Sequence, residues 1–292
     1  MRDHFRFFLN GQPTQVSGAD AQLTLSDFLR KSERLTGTKV VCAEGDCGSC
    51  TVLIGRLNDA EKIVYRTVTS CIISMHQLNA SHVISVEGLL DSGELNPIQQ
   101  SMVKCHGAQC GFCTPGIVVS LFSLIEDSKR DCNACEVRRS LSGNLCRCTG
   151  YESIIRAATE TNRSSVATIE KRFPSSVIGP KLREWSNEDA LVESGDVKLF
   201  RPANLKSAVD YRSKNPEALI VSGATDVGVF MNKGKLTAKH VMSVNDLPEL
   251  KGVRVSNGVI DAGAAASLTE LQDACRETIP EFYEFLELFG SP

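Results

Sequence analysis

The chain has 292 residues, 12 cysteines and a net charge of −3, with 42% hydrophobic and 23% charged residues. The negative net charge gives no sign of the basic face that is typical of nucleic-acid-binding proteins. No apolar run approaches the roughly 20 residues that a membrane-spanning helix needs. The N-terminal stretch becomes polar too soon for a secretory signal peptide. Abundant cysteine without such a signal predicts metal chemistry in a reducing compartment, and therefore a cytoplasmic protein.

The first 83 residues have the pattern of a small strand-rich domain. Apolar and polar side chains alternate from residue 5 to residue 10, and Asn10-Gly11 predicts a hairpin turn. Helical spacing begins at Leu25, with Thr24 as the predicted N-cap. Further strands are predicted at residues 51–54 and 63–68. We therefore predict a first domain over residues 1–83.

A first group of four cysteines lies within this domain: Cys42, Cys47, Cys50 and Cys71. The spacing C-x4-C-x2-C followed by a distant cysteine is that of a plant-type [2Fe-2S] ferredoxin. Gly45 and Gly48 would let the intervening loop turn its amides toward the sulfurs. A four-thiolate zinc site is the alternative, but zinc sites usually bring their cysteines as two short-spaced pairs. The spacing favours the iron–sulfur cluster.

Helix signals dominate residues 84–162. Asn96-Pro97 and Thr114-Pro115 each combine an N-cap residue with proline at the first helical position. Two more helices are predicted at residues 135–141 and 151–161. Four short helices with brief connections predict a small helical bundle as the second domain.

A second group of four cysteines occupies the predicted helix ends of this bundle: Cys110, Cys113, Cys146 and Cys148. Helix N-termini offer unpaired amides and a partial positive charge, which favour a thiolate-bound, negatively charged cluster. A C-x2-C pair with a distant C-x-C pair could also hold zinc. The spacing alone therefore does not decide between an iron–sulfur cluster and a zinc ion. Cys132 and Cys135 form another C-x2-C pair in a polar stretch and are predicted to be unliganded thiols.

Residues 163–194 are rich in serine, proline and charge, and predict an exposed connector. Mixed patterns follow over residues 195–292, with a helix predicted at 205–212 and strands at 218–221, 241–244 and 259–262. Ser267 and Glu270 form a capping box for one further helix. This segment is predicted to be a third, α+β domain.

A glycine-rich turn, Gly223 to Gly228, follows the strand at 218–221. Such a turn can cradle a phosphate, because glycine lets backbone amides approach an anion closely. The sequence is neither the dinucleotide-binding fingerprint nor a Walker loop. A plain strand–turn–helix connection fits the pattern equally well.

The strings CAEGDCGSCTV, CGFCTPGIVVSL and LSGNLCRCTGY, in this order, resemble the two-cluster module of the molybdenum hydroxylases, the family of xanthine dehydrogenase and aldehyde oxidase. The resemblance implies a β-grasp ferredoxin domain followed by a four-helix bundle, each with a [2Fe-2S] cluster. The first group of cysteines would bind the cluster nearer the flavin, and the second group the cluster nearer the molybdopterin. Gln109 matches a family glutamine that reaches the pterin.

The glycine-rich turn resembles the flavin pyrophosphate loop of the same family. This resemblance places eight residues against FAD: Ile220, Val221, Ser222, Gly223, Ala224, Thr225, Asp226 and Val227. Ala262, with Gly263, matches a second stretch that lines FAD. The family's FAD domain continues beyond the point where this chain stops, so residues 195–292 are expected to hold the N-terminal part of that domain and an incomplete FAD site.

Taken together, the resemblance implies an α+β multidomain chain that acts as the iron–sulfur and FAD subunit of a xanthine dehydrogenase-like enzyme. A molybdopterin-containing large subunit would oxidise hypoxanthine or xanthine, and electrons would pass through both clusters to FAD and NAD. A heteromeric assembly without nucleic acid or membrane is expected. An aldehyde- or other heterocycle-oxidising enzyme is the alternative within the family, and a zinc-stabilised interaction module is the alternative outside it.

Overall fold

The secondary structure comes from a computed structural model that describes residues 1–58, 60–128 and 130–289. The last residues of the predicted FAD segment, 290–292, lie outside the described residues. The strands are β1 (Phe5–Leu9), β2 (Gln12–Val16), β3 (Thr51–Leu57), β4 (Ile63–Thr69), β5 (His82–Ile84), β6 (Ala190–Ser194), β7 (Val197–Arg201), β8 (Leu219–Val221), β9 (His240–Ser243), β10 (Val253–Ser256) and β11 (Val259–Ala262). The helices are α1 (Leu25–Asp27), α2 (Pro97–Lys104), α3 (Thr114–Asp127), α4 (Ala134–Ser140), α5 (Glu152–Glu160), α6 (Ile169–Arg172), α7 (Ser175–Ser186), α8 (Leu205–Lys214), α9 (Thr225–Asn232), α10 (Leu268–Cys275) and α11 (Pro280–Glu287).

The N-terminal sheet has the strand order β2-β1-β5-β3-β4, with β1 and β5 parallel. The predicted hairpin between β1 and β2 is confirmed, because Asn10 and Gly11 both have positive φ, 49° and 80°. The Thr24 cap is also confirmed, since its side chain accepts a hydrogen bond from the Asp27 amide. Strand β5 was not predicted, and it runs through Ile84, one residue past the predicted domain boundary.

Helices α2 to α5 form the helical unit, and α3 is its core. The Asn96 side chain caps α2 by accepting from the amides of Ile98 and Gln99, as predicted. Helix α3 begins one residue earlier than predicted, because Cys113 already has a near-helical backbone and takes the N-cap position in place of Thr114. Its apolar side chains are buried, apart from the half-buried Leu124, and each fully buried one contributes about 1.5–3 kcal/mol to the free energy of unfolding.

The exposed connector predicted at residues 163–194 is instead folded. It contains α6, α7 and β6, and β6 pairs antiparallel with β7. On α7, Ile178, Leu182 and Trp185 are buried at helical spacing, and the Trp185 ring stacks on Phe8 with 4.9 Å between centroids. This apolar face escaped prediction because serine, proline and charged residues separate its members. The apolar stripe fastens this segment to the N-terminal sheet.

The third segment is built on a sheet of order β6-β7-β9-β8, in which β7, β9 and β8 run parallel. Strands β10 and β11 form a separate hairpin. The capping box of Ser267 and Glu270 at the start of α10 is confirmed. The α+β fold class is therefore confirmed. Within the described ranges, no helix is long and apolar enough to cross a membrane.

Candidate functional site

The first group of cysteines is brought together where the loop before β3 meets the end of β4. Cys50 and Cys71 are buried, each with 2% of its surface exposed. Their thiols are in hydrogen-bonding contact with each other, as are those of Cys42 and Cys47. The charge of Cys42 also raises the pKa of Cys71, so the two pairs are close enough to interact electrostatically. The predicted group is thus assembled as two adjacent pairs.

Backbone amides point at these sulfurs. The Glu44 amide lies 3.4 Å from the Cys42 sulfur, and the Gly45 amide is directed at Cys71. The pKa of Cys50 is lowered to about 7 because the Cys71 thiol donates a hydrogen bond to it, and the pKa of Cys71 is raised by the same contact and by burial. In each such pair the pKa of one sulfur is lowered, that of Cys42 or of Cys50, which favours the thiolate form that binds metal.

The second group of cysteines is also assembled as two pairs, at the ends of α3 and α5. The Cys148 and Cys110 sulfurs are 3.5 Å apart, and the Cys113 and Cys146 thiols are in hydrogen-bonding contact. Cys110 and Cys148 are exposed, and so are the neighbouring side chains Phe112 and Leu145, each at 56%. Unlike the first group, the second group therefore lies at the protein surface.

The ionisation of the second group follows the same pattern. The Phe112 amide and the Cys148 thiol lower the pKa of Cys110, and this contact raises the pKa of Cys148. Burial and the contact with Cys146 raise the pKa of Cys113 to about 12. Although burial opposes it, hydrogen bonds from Thr149 lower the pKa of Cys146. In each pair the pKa of one sulfur, Cys110 or Cys146, is again lowered.

The two-and-two arrangement fits a [2Fe-2S] cluster, in which each iron takes two of the four protein ligands. Gly48 adds to this fit, because its φ is 66° and a Cβ there would lie 2.3 Å from the Gly143 carbonyl oxygen. A side chain at this position would therefore displace the cysteine loop. Across the part of the chain that the structure describes, no three or more Cys, His, Asp or Glu side chains are grouped to hold a metal ion, so each group of cysteines is present as two pairs.

The two groups of cysteines are joined by direct backbone contact. The amide of Leu145, the residue before Cys146, donates to the Cys47 carbonyl at 2.9 Å. Beside it, the Asn144 side chain donates to the Gly48 carbonyl at 3.1 Å. Helix α3 packs against the same loop, since a Cβ on Gly116 would lie only 2.0 Å from the Gly48 oxygen. The helical unit is thus fastened to the loop of the first group.

The predicted flavin loop connects β8 to α9. Ile220 and Val221 end β8, Ser222 and Gly223 form the turn, and Ala224 precedes α9 with a positive φ of 61°. Nothing lies within 4 Å of a Cβ built on Gly223, so the turn faces open space. The first amides of α9 point out of the helix end, as helix geometry requires. The turn therefore has the shape of an anion cradle, although Asp226 adds a carboxylate to the same helical turn.

The other two predicted cofactor residues lie elsewhere. Ala262 ends β11, which belongs to the β10–β11 hairpin and not to the sheet that carries the flavin loop. Gln109 is exposed beside Cys110 at the surface of the helical unit. The roles assigned to both residues stay predictions.

Sequence reasoning missed two polar residues that tie the flavin loop to the first group of cysteines. Gln77 donates to the Ser222 carbonyl at 2.9 Å, which fixes one end of the loop. Asn232, at the end of α9, donates to the Ala43 and Cys71 carbonyls at 2.8 and 2.7 Å. Neither residue belongs to a motif, and lone polar side chains at helix ends give no signal in a sequence.

Three known family models match the chain, in the order ferredoxin-like segment, helical unit and third segment. Residues 7–76 match the 2Fe-2S iron–sulfur cluster binding domain, and residues 85–159 match the [2Fe-2S] binding domain. Residues 195–292 match the FAD binding domain in molybdopterin dehydrogenase. These matches and the paired thiols define an oxidoreductase chain with iron–sulfur and flavin-binding domains.

Its relatives give the family. Xanthine dehydrogenase of Drosophila pseudoobscura pseudoobscura is 31% identical over 95% of this chain, and aldehyde oxidase 4 of Cavia porcellus is 31% identical over 96%. The crystal structure of quinoline 2-oxidoreductase from Pseudomonas putida 86 is 34% identical over 62% of this chain and 96% of its own, with a TM-score of 0.46. The chain belongs to the molybdenum hydroxylase family. It spans 24% of the length of these two curated relatives.

Proposed function

We propose that this chain carries electrons between a molybdenum centre on another polypeptide segment or subunit and a flavin, through two [2Fe-2S] clusters. The observation that carries the proposal is the pairing of eight thiols, four in each group, with the two groups joined by hydrogen bonds from Leu145 to the Cys47 carbonyl and from Asn144 to the Gly48 carbonyl. When bound, a [2Fe-2S] cluster takes up and releases single electrons at a potential set by its surroundings. The thiols, amides and packing of the chain fix where each cluster sits.

The proposed ligands of the flavin-side cluster are Cys42, Cys47, Cys50 and Cys71, and those of the molybdenum-side cluster are Cys110, Cys113, Cys146 and Cys148. Their pairing as two and two supports a two-iron cluster over the tetrahedral site of a single zinc ion. Burial of the first group would keep water from its cluster. The contact from Leu145 would connect the two groups through one hydrogen bond and the backbone and side chains of Cys146 and Cys47.

The exposed surface of the second group supports a partner on that side. Cys110, Phe112, Leu145 and Cys148 are all exposed there. We propose that a molybdopterin-containing segment or large subunit covers this surface, with Gln109 directed at the pterin. The first group instead packs against α9, the helix that follows the flavin loop. This asymmetry supports a direction of electron flow from the second group to the first.

For the terminal steps we propose FAD at the loop of residues 220–227, with NAD as the final acceptor. The substrate proposed for the complete enzyme is a hypoxanthine- or xanthine-like purine, because relatives named xanthine dehydrogenase match nearly all of this chain. An aldehyde is the second candidate, since relatives named aldehyde oxidase match equally well. Oxidation of the substrate itself would take place outside this chain. A cytoplasmic location stays a prediction.

Iron and sulfide content tests the proposal directly. Purified, reconstituted chain is expected to contain about four iron and four sulfide per polypeptide, the content of two [2Fe-2S] clusters. Reduction with dithionite should give two distinct EPR signals, because one group is buried and the other exposed. A colourless protein that contains zinc and no sulfide would instead favour the interaction module and contradict electron transfer.

FAD binding tests the flavin loop separately. Gly223→Val is expected to weaken FAD binding by about tenfold or more, because one lost hydrogen bond to a charged oxygen costs about 1.5–3 kcal/mol. Open space around Gly223 means that the fold should tolerate this change. Flavin fluorescence titration gives the affinity. Gly179→Ala on α7, which also meets open space, is the control, and equal affinity in both variants would contradict the assigned loop.

A further inference from the structure

Helix α9 does more than follow the flavin loop, because its far end is bound to the first group of cysteines. The Asn232 side-chain amide donates one hydrogen bond to the Ala43 carbonyl at 2.8 Å and another to the Cys71 carbonyl at 2.7 Å. These carbonyls belong to the two separate segments that supply the four cysteines. A single side chain thus holds the cysteine loop against the segment that carries the fourth cysteine.

The rest of α9 is docked on the same surface. A Cβ on Gly228 would lie 2.3 Å from the Ile72 carbonyl oxygen, so the helix backbone touches the residue after Cys71. Val229 packs against the buried cluster of Cys50, Cys71 and Ile72. Positions 228, 229 and 232 share one helical face. The helix, about 12 Å long at 1.5 Å per residue, therefore spans from the flavin loop to the cysteines as one rigid element.

We propose that Asn232 is a positioning residue that fixes the surroundings of the first cluster from the flavin side. This inference rests on the proposed function, because it requires that Cys42, Cys47, Cys50 and Cys71 bind a [2Fe-2S] cluster. Asn232 touches no sulfur in this arrangement. It acts through the two carbonyls that it holds.

The physical reason lies in the amides of the loop. The Glu44 amide faces the Cys42 sulfur at 3.4 Å and the Gly45 amide faces Cys71. Hydrogen bonds to the sulfurs are among the features that set the potential of an iron–sulfur cluster. The Ala43 carbonyl held by Asn232 directly precedes the Glu44 amide in the same peptide group. Releasing that carbonyl would let the peptide plane rotate and would change its hydrogen bond to sulfur.

A second side-chain contact lies at the same edge of the cysteine loop. Lys233 forms an ion pair with Glu44 at 3.1 Å. Both partners are partly exposed, so this pair contributes little to stability. Asn232, by contrast, binds the carbonyl of the peptide between Ala43 and Glu44 itself.

The test is the Asn232→Asp variant of the full chain, with reconstituted clusters. A carboxylate cannot donate to either carbonyl, and it adds a negative charge that disfavours cluster reduction. At the wild-type midpoint potential of the first cluster, we expect the ratio of reduced to oxidised cluster to fall by about twofold or more. The EPR line shape of this cluster should shift as well. Redox titration followed by EPR measures both quantities.

Three comparisons decide the outcome. Asn232→Leu removes the same donor without adding a charge and should still lower the potential, which an added charge cannot explain. Asn215→Asp is the matched control, because Asn215 also donates to a carbonyl at a helix end, that of Tyr211 at 2.9 Å on α8. The signal of the second cluster serves as an internal reference in every variant.

The proposal is overturned if Asn232→Asp leaves the first signal and its potential unchanged, or if both clusters shift equally or are lost together. Equal shifts or losses would mean a general effect on the fold. A wild-type chain without iron and sulfide would instead contradict the proposed function. That result is seen before any variant is made, so the two failures are distinguishable.

Discussion

Cys50→Ala is expected to remove one of the two EPR signals and to lower the iron and sulfide content from about four to about two per chain, because each [2Fe-2S] cluster requires all four thiolates. Cys50 is buried and paired with Cys71, so no solvent ligand can easily replace it. The signal of the second cluster should persist. Cys113→Ala should give the reciprocal result. Metal and sulfide analysis with EPR of the dithionite-reduced protein measures both effects.

Cys135→Ala provides the control for this pair of variants. Cys135 is an exposed cysteine outside both groups, so full iron content and both signals are expected. Loss of both signals in the Cys50→Ala and Cys113→Ala variants would contradict two independent sites. Unchanged iron content in Cys50→Ala would contradict the assignment of the first group.

The spacing within each group of cysteines is a local signal in the sequence, although the assignment of these residues as ligands stays a prediction. Cys42, Cys47 and Cys50 lie within one loop, and Cys146 and Cys148 within one turn, so the spacing alone limits what they can bind. The caps at Thr24, Asn96 and Ser267 are local in the same sense, and the structure confirms them. Even the pairing of Cys50 with Cys71 needs only the β3–β4 hairpin between them.

Contacts between the domains could not be predicted, because they depend on how distant segments pack. Asn232 and Cys71 are 161 residues apart, and neither a periodic pattern nor a motif marks the asparagine. The apolar face around Trp185 is interrupted by Pro180 and by polar residues, so its segment looked like a connector. Arg201 ends a strand as a charged residue, which normally indicates a surface position, yet it is 2% exposed.

Removing the carboxylate beside this arginine should produce the largest loss of stability. Asp246 is paired with Arg201, with 3.7 Å between Oδ2 and Nε, and its other oxygen accepts from Arg56 on β3. The Arg201 guanidinium also donates to the Ser186 carbonyl at 2.6 Å. Burial lowers the pKa of Arg201, which shows that the site disfavours the positive charge. Asp246 is the countercharge that makes this burial tolerable.

Asp246→Ala is therefore expected to lower the free energy of unfolding by about 3–5 kcal/mol, the usual cost of leaving a buried charge without its partner. Two arginines would then face each other, one from the N-terminal sheet and one from the sheet of the third segment. Urea denaturation followed by far-UV circular dichroism measures the change. The sheet of β6 to β9 should unfold at lower urea concentration than the helical unit.

Two further variants distinguish the loss of stability caused by the unpaired buried charge from a general effect of mutation. Glu193→Ala removes an exposed ion pair with Lys198 on β6 and β7, the same strands that lead to Arg201, and should cost only about 0–1 kcal/mol. The double variant Arg201→Met, Asp246→Leu removes both buried charges and should lose less stability than the sum of the losses in the single variants Arg201→Met and Asp246→Leu. If instead the two losses were additive, Asp246 would act by packing alone. The packing of the β6-β7-β9-β8 sheet against the N-terminal sheet would then not depend on this buried charge.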